Sequence, residues 1–400
     1  MKVFARSSLL RIVLLVTLGV GGLTPVAQAE DPPKPSPVPS SMVPSPPQLS
    51  ATAWVLMDAD SGKILVEHNA EKELPPASLT KMMTAYIVER EIDSENIDAN
   101  DEVTISENAW RTGGSRMFLN PGTKVSVDDL LRGVVIQSGN DASVALAEHI
   151  AGSEDAFADL MNQQASRMNL KHTHFMNPTG LPHDDHYASA HDLAVIAQHI
   201  IEDYPDHYEV YSEKYFTWND IRQPNRNRLL WRDPNVDGLK TGHTEAAGYC
   251  MVASAKKDDT RLVAVVMGTD SDEARAQETQ KLLSYGFRFF ETKRLYESGA
   301  VLNKPRVWGG DKDALRLGVA NDVYLTVPRG RSDELNAQLD IQKTIDAPVE
   351  QGEQLGTLKI KLDGEVLDER PLVALESVSE GGFFKRLWDS VLQFVNGFFD

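Results

Sequence analysis

Apolar positions recur along this chain with two periods, and the places where the period changes divide it. The β-prone run Ala53-Trp54-Val55-Leu56-Met57 is followed by the turn residues Asp60-Ser61-Gly62 and by Lys63-Ile64-Leu65-Val66, a pattern that predicts a hairpin. From Ala77 to about Arg90, Leu79, Met82, Met83, Tyr86 and Ile87 fall at helical spacing with Pro75 and Pro76 just ahead, which predicts a buried helix. Further helix is predicted at 127–132, 142–150, 156–168 and 191–201, with loops rich in Gly, Asn and Asp between. Beyond residue 235 strands return, at 249–254 and 262–267 around the polar turn Lys256-Lys257-Asp258-Asp259, before a closing helix at 273–290. Strands at both ends with helices between predict an α/β sandwich, one antiparallel sheet flanked by helices, rather than a doubly wound fold.

Past Glu297 the pattern becomes short strands. Val323 to Val327 is one, and Leu358, Ile360 and Leu362 alternate with polar residues before the hairpin dipeptide Asp363-Gly364, so a small all-β domain is expected over 297–380. At the C-terminus Phe383, Phe384, Leu387, Trp388, Val391, Leu392, Val395, Phe398 and Phe399 form one helical stripe, with Lys385, Arg386 and Asp389 off it. Such a stripe at 381–400 suits either packing against the β domain or lying in a membrane interface; the Gly381-Gly382 break before it favours the anchor.

The N-terminus changes the picture again. Lys2, Arg6 and Arg11 accompany the apolar run Val13-Leu14-Leu15-Val16, and Ala27-Gln28-Ala29 supplies small residues for cleavage, so residues 1–29 read as a signal peptide cut after Ala29. Residues 30–49, dominated by Pro and Ser, read as a linker, which leaves 50–296 as the first folded domain. The predicted destination is the periplasmic face of the inner membrane, held by the C-terminal helix. Losing the leader's three cations takes the formal charge from −19 to −22, which repels nucleic acid. The single cysteine, Cys250, excludes an internal disulfide, and its apolar neighbours make it a small buried hydrophobe.

Three short motifs carry the candidate chemistry: Ser78-Leu79-Thr80-Lys81, Ser138-Gly139-Asn140 and Lys240-Thr241-Gly242. Ser78 opens an apolar helix and Lys81 follows on the same face. A serine hydroxyl needs a base to take its proton, and Lys81 can be that base if its apolar surroundings and a second cation depress its pKa. Alone, Ser78 reads rather as a helix cap and Lys81 as a surface lysine that snorkels along apolar neighbours. Ser138 can relay a proton and Asn140 can hold a peptide amide, although that stretch also suits an ordinary capping loop. Lys240 to Thr244 precede the strands from 249, so they predict an edge strand whose glycine lets a substrate backbone approach and whose lysine supplies fixed positive charge. In this order and on these elements the three motifs outweigh their separate bland meanings.

The stretches 76–84, 137–142 and 237–244 resemble the penicillin-binding, active-site-serine family, most closely its low-molecular-mass D-alanyl-D-alanine carboxypeptidases, and 286–292 with the β-rich region are similar to it too. The resemblance implies a hydrolase that removes the terminal D-alanine from peptidoglycan stem peptides and is acylated by β-lactams, with no cofactor. It further implies that Ser78 forms the acyl-enzyme, Lys81 is the base, Ser138 shuttles the proton and Asn140 orients the acyl donor. Lys240 and Thr241 would bind the substrate carboxylate, the backbone N–H groups of Ser78 and His243 would form the oxyanion hole, and Arg226 and Arg275 would add positive charge. A D,D-endopeptidase, a weak β-lactamase and a non-catalytic scaffold remain alternatives, although no Glu-x-x-Leu-Asn element follows Asn140 to serve a class A β-lactamase. His172, His174, His183, Asp184, Asp185 and His186 crowd one span, which reads as a flexible loop, and no metal is assigned to them.

Overall fold

The computed structural model describes residues 43–396; the signal peptide at 1–29, the linker up to residue 42, and Phe398 and Phe399 of the C-terminal stripe lie outside them, as does the side chain of Val395. The first sheet has five antiparallel strands: β1 (Ala53–Asp58), β2 (Ile64–His68), β3 (Val236–Thr244), β4 (Gly248–Lys257) and β5 (Thr260–Thr269). Their spatial order is β2-β1-β5-β4-β3, so β3 is an edge strand, as its glycine and position suggest.

The alternation of side chains along β1 sorts the two cores. Val55 and Met57 face one way, into a large core with Leu79, Met82, Met83 and Ile87, whereas Trp54 and Leu56 face the other, against Leu282 and Leu283. The first core is built on α1 (Lys81–Asp93), α2 (Val127–Ile136), α3 (Asn140–Ala151), α4 (Glu154–Arg167) and α5 (Ala190–Asp203), and the second on α6 (Asp272–Phe289). With both faces covered, every residue of β1 is buried. The last part of the proline-rich stretch is not free chain: Val43 and Leu49 pack against the second core, and the Tyr285 hydroxyl donates to the Pro44 carbonyl at 2.7 Å.

The strand Phe290–Tyr296 pairs with Val323–Pro328 and with no strand of the first sheet, which it reaches only through the Thr292 N–H donating to Thr260 Oγ1 at 3.0 Å. That pairing puts 290–296 in one sheet with a strand of the β region. The other strands of the β region, 301–303, 317–318, 336–341, 354–362 and 365–374, form one sheet around a core of its own that includes Leu358, Ile360 and Leu372. The final helix, α7 (Phe383–Asn396), docks on this region by its polar face. Asp389, 3% exposed, accepts from Arg306 Nη2 at 2.9 Å and from the Gly309 N–H at 3.0 Å, and Lys385 pairs with Asp313 at 2.8 Å. Phe383, Phe384, Leu387, Trp388 and Val391 are left exposed.

Candidate active site

Ser78 does not begin the α-helix that periodicity predicts; it lies in a 3-10 turn, Ala77–Thr80, and α1 starts at Lys81. Ala77 has φ +49, a left-handed conformation that an alanine holds only under tertiary constraint, and it sets the turn apart from a regular helix start. In a 3-10 turn residues i and i+3 eclipse, which brings Lys81 Nζ to 3.2 Å from Ser78 Oγ. No side chain caps this turn, so Ser78 is not spent as a cap.

Lys81 is 1% exposed, with its ammonium donating to Asn140 Oδ1 at 2.7 Å and to the Thr179 carbonyl at 2.5 Å. Burial, and then the charge of Arg226, push its pKa down to about 7, against an upward pull from Asp141. Asp141 itself accepts from the backbone N–H groups of Met117, Phe118 and Leu119 at 2.8, 2.9 and 3.1 Å, which fastens the 113–119 loop beside α3.

Ser138 sits between α2 and α3 at φ +62, buried, with its hydroxyl unpartnered among the described residues and its side chain lining the same cleft as Ser78. The Asn140 carboxamide is largely engaged already, accepting from Lys81 and donating to the Gly113 carbonyl at 2.6 Å, so in this arrangement it holds the lysine.

Strand β3 closes the other side. A Cβ on Gly242 would stand 3.0 Å from the Pro76 carbonyl and 3.2 Å from the Ser78 nitrogen, so only glycine lets the edge strand approach the nucleophile this closely. Lys240 is 3% exposed and donates to the Thr241 carbonyl at 3.2 Å. Burial first, then Lys81, Arg226 and Arg275, drive its proton affinity well below the ordinary lysine value.

Thr241, Gly242 and His243 line a cleft of about 540 Å³ together with Ser78, Ser138, Arg226 and Arg275. Arg275 donates to the Gly242 carbonyl at 3.0 Å and pairs with Asp272, while Arg226 Nε donates to the Gln137 carbonyl at 3.1 Å. Six of the nine sequence-selected residues line this cleft, and Lys81 lies behind it in hydrogen-bond contact with Ser78 and with Asn140, while Lys240 is buried on β3 next to Thr241. Periodicity and motif spacing missed Arg228, Asp272 and Tyr249, which also line the cleft, and the Thr179 carbonyl, whose role is played by backbone and leaves no side-chain signal.

The histidine-rich span is not an open loop. Its backbone forms bridges Leu74↔Ala188 and His174↔Tyr187, and His186 Nε2 lies 2.9 Å from Thr80 Oγ1, beneath the nucleophile turn. Burial lowers the His186 pKa to about 4, so it stays neutral there. Among the described residues no three His, Cys, Asp or Glu side chains are grouped to hold a metal. Cys250 is fully buried and its thiol pKa is pushed up to about 11 by burial.

Residues 40–271 match the family model described as D-alanyl-D-alanine carboxypeptidase, and residues 290–380 match the C-terminal domain of penicillin-binding protein 5. The chain is 46% identical over 354 residues to the D-alanyl-D-alanine carboxypeptidase DacC of Escherichia coli (strain K12), covering 86% of this chain and 88% of that protein. The crystal structure of penicillin-binding protein 5 from Haemophilus influenzae superposes with a TM-score of 0.79 at 45% identity, over 84% of this chain and 99% of the other. An ampicillin-bound penicillin-binding protein D2 from Listeria monocytogenes is similar at 29% identity and a TM-score of 0.56, over 60% of this chain and 98% of the other.

Proposed function

Since the chain belongs to the D-alanyl-D-alanine carboxypeptidase family, we propose that Ser78 is the nucleophile with which it releases the terminal D-alanine of peptidoglycan stem peptides. The protein is a hydrolase of the penicillin-binding protein 5 type. The observation that carries the residue assignment is the 3.2 Å contact between Ser78 Oγ and a buried Lys81 whose pKa has fallen to about 7. A lysine that is neutral in part at pH 7 can accept the serine proton as Oγ attacks the carbonyl of the penultimate D-alanine. The tetrahedral oxyanion then faces the backbone N–H groups of Ser78 and His243. Collapse breaks the C–N bond, with the unpartnered Ser138 hydroxyl able to pass the proton to the leaving amine. Water attacks the resulting ester, the oxyanion collapses to expel Ser78 Oγ, and the serine and lysine return to their starting state.

The leaving residue carries a carboxylate, and Lys240, Thr241, Arg226 and Arg275 would receive it. A β-lactam carbonyl presented to the same serine would be opened in the same way, with the acyl group retained. Ser78→Ala should abolish covalent labelling by a fluorescent penicillin and D-alanine release from a pentapeptide, with the circular dichroism spectrum unchanged. Labelling at the native level would remove Ser78 from the mechanism.

The location belongs to the same proposal. The leader at 1–29 would export the chain, the exposed stripe of α7 would lie in the outer leaflet interface of the inner membrane, and the catalytic domain would run to the end of α6 with the β domain over 290–380 between. No helix among the described residues is long and apolar enough to cross a membrane, which suits an interfacial anchor.

A further inference from the structure

His186 is buried beneath the nucleophile turn and takes no part in the chemical steps above. Its two ring nitrogens face two different pieces of chain. The backbone N–H of Met176 donates to Nδ1 at 3.4 Å, so Nδ1 is bare, and the proton of the neutral ring sits on Nε2, which donates it to Thr80 Oγ1 at 2.9 Å. Phe175, also buried, meets the ring edge-on with centroids 5.8 Å apart, which fixes the plane of the imidazole.

Met176 begins a segment whose backbone serves the nucleophile turn from the other side. The Pro178 carbonyl accepts from Thr84 Oγ1 at 2.7 Å, and the Thr179 carbonyl accepts from the Lys81 ammonium at 2.5 Å. Asn177 Oδ1 gathers the N–H groups of Thr179 and Gly180 at 3.1 and 2.8 Å, so these residues are held as one unit. That unit abuts the turn: a Cβ on Gly180 would stand 1.8 Å from the Ala77 carbonyl and 2.8 Å from Thr80 Oγ1. Thr84 and Lys81 tie it to α1, and the His186 ring ties it to Thr80 in the turn.

We propose that His186 is a positioning residue: by bridging Thr80 to the 176–180 segment, it keeps the Thr179 carbonyl on the Lys81 ammonium and keeps water out of the space beside it. The inference rests on Lys81 being the base for Ser78, and adds what holds that base in a dry setting. The charged and titratable groups around the pair are Arg226, Asp141 and Lys240 for Lys81, and His174, His183 and Lys81 itself for His186. Burial already keeps the His186 ring neutral, so replacing it by an uncharged residue alters none of these charges, and a change at Lys81 then reports its solvation.

The test reads the pH midpoint of acylation, by stopped flow with a chromogenic cephalosporin between pH 5 and 9. In His186→Leu a water can take the place of the Thr179 carbonyl; it leaves the ammonium hydrogen-bonded but removes part of the desolvation that holds the Lys81 pKa low. The midpoint should rise by about one unit, with acylation roughly tenfold slower at pH 6 and close to native at pH 9. His186→Gln, whose amide can donate to Thr80 and accept from the Met176 N–H, should keep the native midpoint. Thr80→Val removes the acceptor on the turn without touching the ring and should move the midpoint the same way as His186→Leu; it decides the matter if circular dichroism shows His186→Leu unfolded. A native midpoint in either folded variant overturns the inference while leaving the carboxypeptidase reading in place. So does a loss by the same factor at every pH, which is what a general loosening of the fold gives. A native enzyme with no limb near pH 7 would instead remove Lys81 as the base, and the inference with it.

Discussion

Lys81 joins sequence to chemistry most directly, because its neighbours decide its charge. Its ammonium gives hydrogen bonds to Asn140 and Thr179, which favour the charged form, yet desolvation and Arg226 outweigh them and leave a pKa of about 7. For a base the neutral form is active, so acylation should rise with pH through about 7 and level off above it. Stopped-flow acylation by a chromogenic cephalosporin between pH 5 and 9 measures that limb. Lys81→Arg cannot lose its proton in this range and should slow acylation by orders of magnitude at every pH. A limb unchanged in midpoint and height in that variant would assign the base elsewhere.

Among the elements, α7 shows how one amphipathic pattern serves two surfaces. Part of its polar face is turned to the protein: Asp389 is buried against Arg306 and the Gly309 N–H, and Gln393 reaches Asp346 at 3.2 Å. The docked polar face leaves the apolar stripe outward, which is the reverse of an ordinary core-facing helix. Deleting 383–400 should release the protein from anionic vesicles in a sedimentation assay and leave penicillin labelling intact, since the site residues lie on other elements. Asp389→Ala should instead keep vesicle binding while freeing α7 from the β domain, seen as faster amide exchange over 383–396. Loss of labelling on truncation would mean that the stripe stabilises the fold.

The whole molecule is joined between its two parts by a buried polar cluster. Asp58, at the end of β1, accepts from the Ser61 N–H and hydroxyl at 2.8 and 2.6 Å and from the Thr292 hydroxyl. Thr326 lies 2.7 Å from Ser61 and 3.0 Å from Thr292, hydroxyl to hydroxyl. One strand of the β region and the first hairpin are thereby tied to the same carboxylate. Thr292→Val removes a donor from a buried anion and should cost about 1–3 kcal/mol in denaturant unfolding. An unfolding midpoint equal to the native one would show that the cluster contributes nothing to holding the parts together.

What the sequence determined by itself is what local pattern encodes. The order of elements, the antiparallel sheet and the edge position of 240–244 follow from period and turn residues, and the three motifs name Ser78, Lys81, Ser138, Asn140, Lys240 and Thr241, of which Ser78, Ser138 and Thr241 line one cleft and Lys81 and Asn140 are hydrogen-bonded behind Ser78. Spacing also placed Ser78 and Lys81 on one face, although it read a helix where Ala77 forces a tighter turn. Tertiary structure alone decided which distant groups surround that pair. The Thr179 carbonyl comes from a loop 98 positions away from Lys81, and strand 290–296 takes a partner beyond residue 320. The outward face of α7 was likewise open in the pattern, since a stripe of apolar residues fits a core as well as a lipid surface. A partner 83 residues upstream, Arg306 for Asp389, settled it, because periodicity records which residues share a face and only packing records what that face meets.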